Sequence, residues 1–229
     1  MLDALVIAPH PDDAELGMAG AIVKMLAEGK SVGVLDLTDG EPTPHGSREI
    51  RAAETAAASK VLGVTWRENL GLTNRKLQPT LEARAALANV IRRTKPRWLF
   101  APYWTDAHPD HVAATQLVDD ARFWAKLTKS ELEGDPFHPE RIYNYFSIHL
   151  RLAIQPAFIL DVSAEWPKKL ASLEAYHSQL VKGREHLTPT LLEKVRDHAA
   201  YFGQLIGAEY GEPFTCREPI GMSSLERLM

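Results

Sequence analysis

The chain has little cysteine: among 229 residues Cys216 is the only one. That excludes an internal disulfide framework and suits a reducing compartment. No apolar run approaches the roughly 20 residues that cross a bilayer. The chain opens without a basic region or a cleavage site, so a cytoplasmic location and no membrane partner are expected. Neither sign of charge is in excess. Lys and Arg number 26 against 30 Asp and Glu, a net charge of −4, which gives no footprint for nucleic acid. Repeats, low-complexity tracts and a dividing linker are also missing, so residues 1–229 are expected to form a single domain. Hydrophobic residues make up 45%, an ordinary share for a globular chain of a size that buries a real core.

What is present is an alternation of short apolar runs with amphipathic segments. Leu5-Val6-Ile7-Ala8, Ser31–Leu37, Val64–Leu70, Arg97–Ala101 and Phe158–Val162 read as buried strands, and Arg141–His149 alternates as a strand would. Helices are expected over Gly17–Glu28 with Gly29 as cap, Arg48–Leu62 ended by Gly63, Thr80–Thr94, Val112–Leu127, Ala164–Leu180 capped by Ser163, and Leu191–Ile206 opened by Thr188-Pro189. The alanines of the second helix, Ala52, Ala53, Ala56 and Ala57, suit close packing. Residues 128–140 read as a linker between subregions. Strand-then-helix order predicts an α/β fold, a Rossmann-like three-layer sandwich around a mostly parallel sheet.

In such sheets ligands bind at the carboxyl ends of the strands, and two stretches there carry chemistry. The first is His10-Pro11-Asp12-Asp13-Ala14-Glu15, directly after the first strand. The second is Pro102-Tyr103-Trp104-Thr105-Asp106-Ala107-His108-Pro109-Asp110-His111, after the strand that ends at Ala101. His10 and Asp13 are three apart in a tight turn, with Pro11 restricting the loop. Adding His111 completes two imidazoles and a carboxylate, which suits a catalytic divalent metal, Zn2+ first, with a coordination position left open. Asp12, pointing elsewhere, is free to take a proton from a water and pass it to a leaving amine. The same carboxylates also suit a helix N-terminus. His108, held protonated by Asp110, would stabilise a tetrahedral oxyanion. These roles add up to hydrolysis of an amide or ester. The loop 38–47, with His45, is either a wall of this site or an ordinary surface loop.

The alternatives are a dinucleotide-binding domain, an Fe2+ oxygenase and a silent sugar binder. Asp36 stands where a ribose-binding acid belongs, yet Gly17-Met18-Ala19-Gly20 is not G-x-G-x-x-G. Two histidines and a carboxylate also describe iron sites, where Asp12 would have no use. A silent binder would need no base.

The intact His10-Pro11-Asp12-Asp13 and His108-Pro109-Asp110-His111 loops, in this order and spacing, resemble the PIG-L/LmbE-like family of zinc-dependent N-acetylglucosaminyl de-N-acetylases. Phe100-Ala101-Pro102-Tyr103, Tyr143-Asn144-Tyr145 and residues 203–214 extend the likeness. Within the family the chain looks most like the deacetylases of bacillithiol biosynthesis that act on N-acetylglucosaminyl-malate. The resemblance implies zinc on His10, Asp13 and His111 (Fe2+ or another divalent ion being possible), Asp12 as base, and His108 as oxyanion partner oriented by Asp110. It also implies Arg51, Asn74 and Tyr103 as substrate contacts, a small amino-sugar substrate, and a homo-oligomer, a hexamer among the options. Asn74 replaces an Asp found in relatives, and Asp106 stands where some carry Tyr. For an anionic aglycone the candidate cations are Arg48, Arg51, Arg75, Arg141 and Arg151.

Overall fold

The computed structural model describes residues 1–146, 149 and 152–221. In chain order the elements are β1 (Ala4–Ala8), α1 (Asp13–Ala27), β2 (Val32–Thr38), α2 (Arg48–Leu62), β3 (Trp66–Leu72), α3 (Leu81–Thr94), β4 (Trp98–Pro102) and α4 (Pro109–Ala125). The remainder are β5 (Arg141–Tyr145), β6 (Phe158–Asp161), α5 (Trp166–Glu174), α6 (His177–Leu180), α7 (Leu191–Gln204) and β7 (Gly211–Thr215). The strands form one seven-stranded sheet of order β3-β2-β1-β4-β5-β7-β6. β3, β2, β1, β4 and β5 are parallel, and β7 joins antiparallel between β5 and β6.

The side-chain period of two in a strand divides the core between the faces. Leu5, Ile7, Leu35, Leu37 and Leu99 face α3 and α4. Ala4, Val6, Ala8, Val32 and Val34 face α1. A further cluster packs α2, α5, α6 and α7 together on that second side through Ala58, Leu173, Tyr176 and Val195. The expected three layers are therefore present. Each fully buried Leu or Ile contributes about 1.5–3 kcal/mol.

From β1 the chain moves outward through β2 to β3, then crosses to the other flank of β1 to make β4. This change of direction opens a crevice at the carboxyl ends of β1 and β4. Both motif loops leave the sheet there.

Several local expectations need correction. α1 begins at Asp13 and α4 at Pro109, earlier than expected. Pro109 lacks an N–H and has its φ preset, so it opens α4 rather than preceding it. α1 is bent at Met18 (φ −154°). Ser163 is not a helix cap, since its Oγ donates to Asp161 and accepts the Tyr210 N–H. The expected helix 164–180 is two helices, α5 and α6. α7 is opened by a capping box of Thr190 and Glu193, not by Thr188-Pro189. Residues 128–140 are not a linker. The buried Arg92 guanidinium donates to the Ala125, Leu127, Leu132 and Gly134 carbonyls and ties that stretch to α3. Of the strand expected over 141–149, Arg141–Tyr145 forms, and positions 147 and 148 lie outside the described residues. The four alanines of α2 are exposed rather than packed.

Candidate metal centre

His10 ends the turn out of β1, and Asp13 is the first residue of α1. Asp13 Oδ2 accepts the His10 backbone N–H at 2.9 Å and lies 3.1 Å from His10 Nδ1. His111, in the first turn of α4, brings Nε2 to 3.2 Å from the same carboxylate oxygen. One donor atom from each of the three lies within 4.8 Å of the others. His111 Nε2 is buried and makes no hydrogen bond. An orphaned buried imidazole nitrogen aimed at a carboxylate and a second histidine fits a divalent transition metal.

The other nitrogen of each imidazole meets a carboxylate. His10 Nε2 lies 3.2 Å from Asp110 Oδ2, and His111 Nδ1 lies 2.9 Å from Asp106 Oδ2. This carboxylate–histidine pairing orients metal-binding imidazoles and raises their basicity. It also corrects the expected role of Asp110. Its carboxylate holds His10, not His108, and accepts the Arg75 and Leu77 backbone N–H groups at 2.7 and 3.2 Å. Sequence reasoning did not pair Asp106 with His111. The only local signal for that pair is a carboxylate five residues before His111.

His108 caps α4 with its side chain: Nδ1 accepts the Asp110 backbone N–H at 3.2 Å. Nδ1 therefore carries no proton, and the N–H of the neutral ring is on Nε2. Burial and the nearby His10 push the His108 pKa down. His108 is thus a neutral donor, not the imidazolium expected from an Asp110 pair.

Asp12 has a left-handed backbone (φ 121°), a conformation that costs of order 1–3 kcal/mol for a residue other than glycine. Arg51 holds it there. The buried guanidinium donates to the Pro11 carbonyl and lies 3.1 Å from Asp12 Oδ2. The Leu16 N–H donates to the Asp12 carbonyl at 2.8 Å. The Asp12 carboxylate makes no cap on α1, which leaves it facing the cavity. Burial raises its pKa to about 7 against the lowering effect of Arg51.

The cavity over these groups has a volume of about 440 Å³, within the usual range for small-molecule sites. Asn74, Arg51 and Arg75 line it, as do His149, Gln179, Arg184 and Lys194, which sequence reasoning did not single out. Tyr103 does not. Its ring packs on Trp104 and Phe146 at 4.3 and 5.1 Å. Arg48 pairs with Asp39 and Arg141 donates to the Glu218 and Pro219 carbonyls, so neither faces the site. Arg151 lies outside the described residues. The 38–47 loop walls the cavity through Gly40 and Thr43, not through His45. Asp36 is committed to Arg67, which also binds Glu15, and so is no ribose ligand.

A family model described as PIG-L, GlcNAc-PI de-N-acetylase, matches residues 5–122. A crystal structure of a conserved protein from Thermus thermophilus superposes with a TM-score of 0.89 at 41% identity, covering 97% of each chain. The chain is 29% identical to a diacetylchitobiose deacetylase of Thermococcus kodakarensis over 223 residues, 91% of this chain and 80% of that one. It is 27% identical to a probable N-acetyl-α-D-glucosaminyl L-malate deacetylase of Bacillus anthracis over 189 residues, 76% and 80% of the two chains. With more than half of its length matched, both motif loops included, the chain belongs to the PIG-L family.

Proposed function

We propose that the protein hydrolyses the N-acetyl amide of an N-acetylglucosaminyl conjugate, releasing acetate and the free amine. The observation that carries this reading is Asp12, held in a strained backbone beside the His10, Asp13 and His111 donors without being one of them. A divalent cation on those donors, with Zn2+ the first choice and Fe2+ the next, supplies Lewis acidity toward a carbonyl and lowers the pKa of a water. Asp12 takes the proton of the attacking water and delivers it to the amine as the C–N bond breaks. His108 donates its Nε2–H to the carbonyl oxygen as charge gathers there. Arg51 keeps Asp12 in place, and Asn74 offers an amide to a sugar hydroxyl.

N-Acetylglucosaminyl-malate, the bacillithiol precursor, is the proposed substrate. The resemblance of the Bacillus anthracis relative and a cavity richer in cations than carboxylates support it. The runner-up is another N-acetylated amino sugar, since a diacetylchitobiose deacetylase is also similar. A silent sugar-binding member is the last alternative. A panel of zinc-loaded assays on the malate conjugate, diacetylchitobiose and N-acetylglucosamine ranks them. Fastest amine release from the malate conjugate supports the assignment. Release only from the neutral sugars discards malate, and no release from any discards the deacetylase.

The shared sheet supports reading residues 1–229 as one deacetylase domain. No helix among the described residues is long and apolar enough to cross a membrane. A cytoplasmic homo-oligomer, with a hexamer as the first candidate, is part of this proposal, and light scattering tests its size.

A further inference from the structure

Four cationic side chains, Arg51, Arg75, Arg184 and Lys194, line the cavity against two carboxylates, Asp12 and Asp13. The chain as a whole is anionic, at −4. The two carboxylates are occupied by the chemistry of the centre. Arg51 is paired with Asp12 and Glu41. Arg75 is tethered through its guanidinium to the Pro42 carbonyl at 2.6 Å. Arg184 and Lys194 differ from both: among the described residues neither side chain has an ion pair or a hydrogen bond. They reach the cavity from the α6–α7 connection and from the start of α7, ten residues apart in the chain. Both lie in the part of the chain beyond the family match, which ends at residue 122. The matched part carries the proposed chemistry, and the part beyond it adds exposed positive charge to the cavity wall. A concave wall of one sign concentrates the opposite charge in a ligand.

We propose that Arg184 and Lys194 form an anion subsite that selects amino-sugar conjugates whose aglycone carries a carboxylate or a phosphate. This rests on the reading of the site as an amino-sugar deacetylase and names the residues that would set its specificity. Arg184 offers a planar fork to such a group and Lys194 a mobile point charge.

Calorimetric binding to the zinc-loaded protein tests this without requiring turnover. The probes are N-acetylglucosaminyl-malate, N-acetylglucosamine 1-phosphate and neutral methyl N-acetylglucosaminide. Wild type should bind an anionic probe at least about tenfold more tightly than the neutral one, and raising salt from about 0.05 to 0.5 M should shrink the gap. In the R184Q/K194Q double variant the ratio of anionic to neutral affinity should fall at least about tenfold, and the charge-reversed R184E/K194E should lower it further. Equal affinity of wild type for anionic and neutral probes overturns the subsite. So does an anionic preference that survives in the double variant. Which anion binds more tightly identifies carboxylate or phosphate as the natural group. Tight anion binding without amine release from any probe sinks the deacetylase reading and leaves the subsite standing.

Discussion

At the scale of single residues, Asp12 and the donor histidines have separable duties. Asp12→Ala should retain bound zinc and lower turnover at least about a hundredfold, the usual scale for a lost general base. Metal analysis beside steady-state kinetics decides it, and full activity would remove Asp12 from the chemistry. His111→Ala should lose metal and activity together. Asp106→Asn should weaken zinc binding about 10- to 100-fold by loosening His111; unchanged affinity would show that His111 needs no orienting carboxylate. Protons compete for the same donors. In the metal-free protein, burial disfavours both imidazolium ions, but the Asp110 and Asp13 carboxylates outweigh it and raise His10 to about 9. Asp13 and Asp106 do the same for His111, to about 10. A metal must displace both protons, so apparent zinc affinity should rise with pH by up to about a hundredfold per unit through the neutral range. An affinity flat in pH would mean that these histidines are not the ligands. The candidate donors could be picked out in the sequence because each sits in a short motif, His10 and Asp13 three apart and His111 three after His108. The partner of Asp110 could not, because the residues that fix its carboxylate, Arg75 and Leu77, arrive from the far end of β3.

At the scale of elements, strand and helix identity followed from apolar periodicity, and the misplaced boundaries were at polar ends. Asp13 and Pro109 start helices because proline and charge favour a first turn, although no apolar residue marks them. The bend in α1 was hidden because its cause is remote. Glu212 of β7 accepts the Gly20 and Ala21 N–H groups at 2.9 and 2.7 Å and pairs with the buried Lys169 at 2.6 Å. The carboxylate thus takes over backbone donors left free by the turn at Met18. Gly17 and Gly20 allow the close packing around that bend. A Cβ at Gly17 would collide with the Tyr145 ring, and one at Gly20 would meet Val162 at 2.6 Å. Gly20→Ala should therefore destabilise the fold by about 1–3 kcal/mol, the usual cost of overpacking. Urea unfolding measures it, and a neutral result would show that α1 can shift away from Val162. The same packing fixes the site, since the Tyr145 hydroxyl donates to the Ile7 carbonyl at 3.0 Å, three residues before His10.

At the scale of the whole molecule, the order of the first four strands decides where chemistry happens. Two loops nearly a hundred residues apart meet because β1 and β4 are neighbours. The alternation of strands and helices already placed both loops at the same end of a parallel sheet, but left the adjacency of β1 and β4 open. The last third was less readable: β7 is short and inserts antiparallel between β5 and β6, a pairing that local pattern does not specify. That third supplies Gln179, Arg184 and Lys194 to the cavity, so the part of the chain hardest to read from sequence is the part proposed to choose the substrate. A divalent metal on His10, Asp13 and His111 is proposed to let this protein cleave an N-acetyl amide. Acetate release from N-acetylglucosaminyl-malate, followed with zinc-loaded protein, after chelation and after zinc is restored, tests it most directly. Acetate and amine should appear in equal amounts, be lost on chelation and return with zinc. Release that continues undiminished in the metal-stripped protein would remove the metal from the reaction.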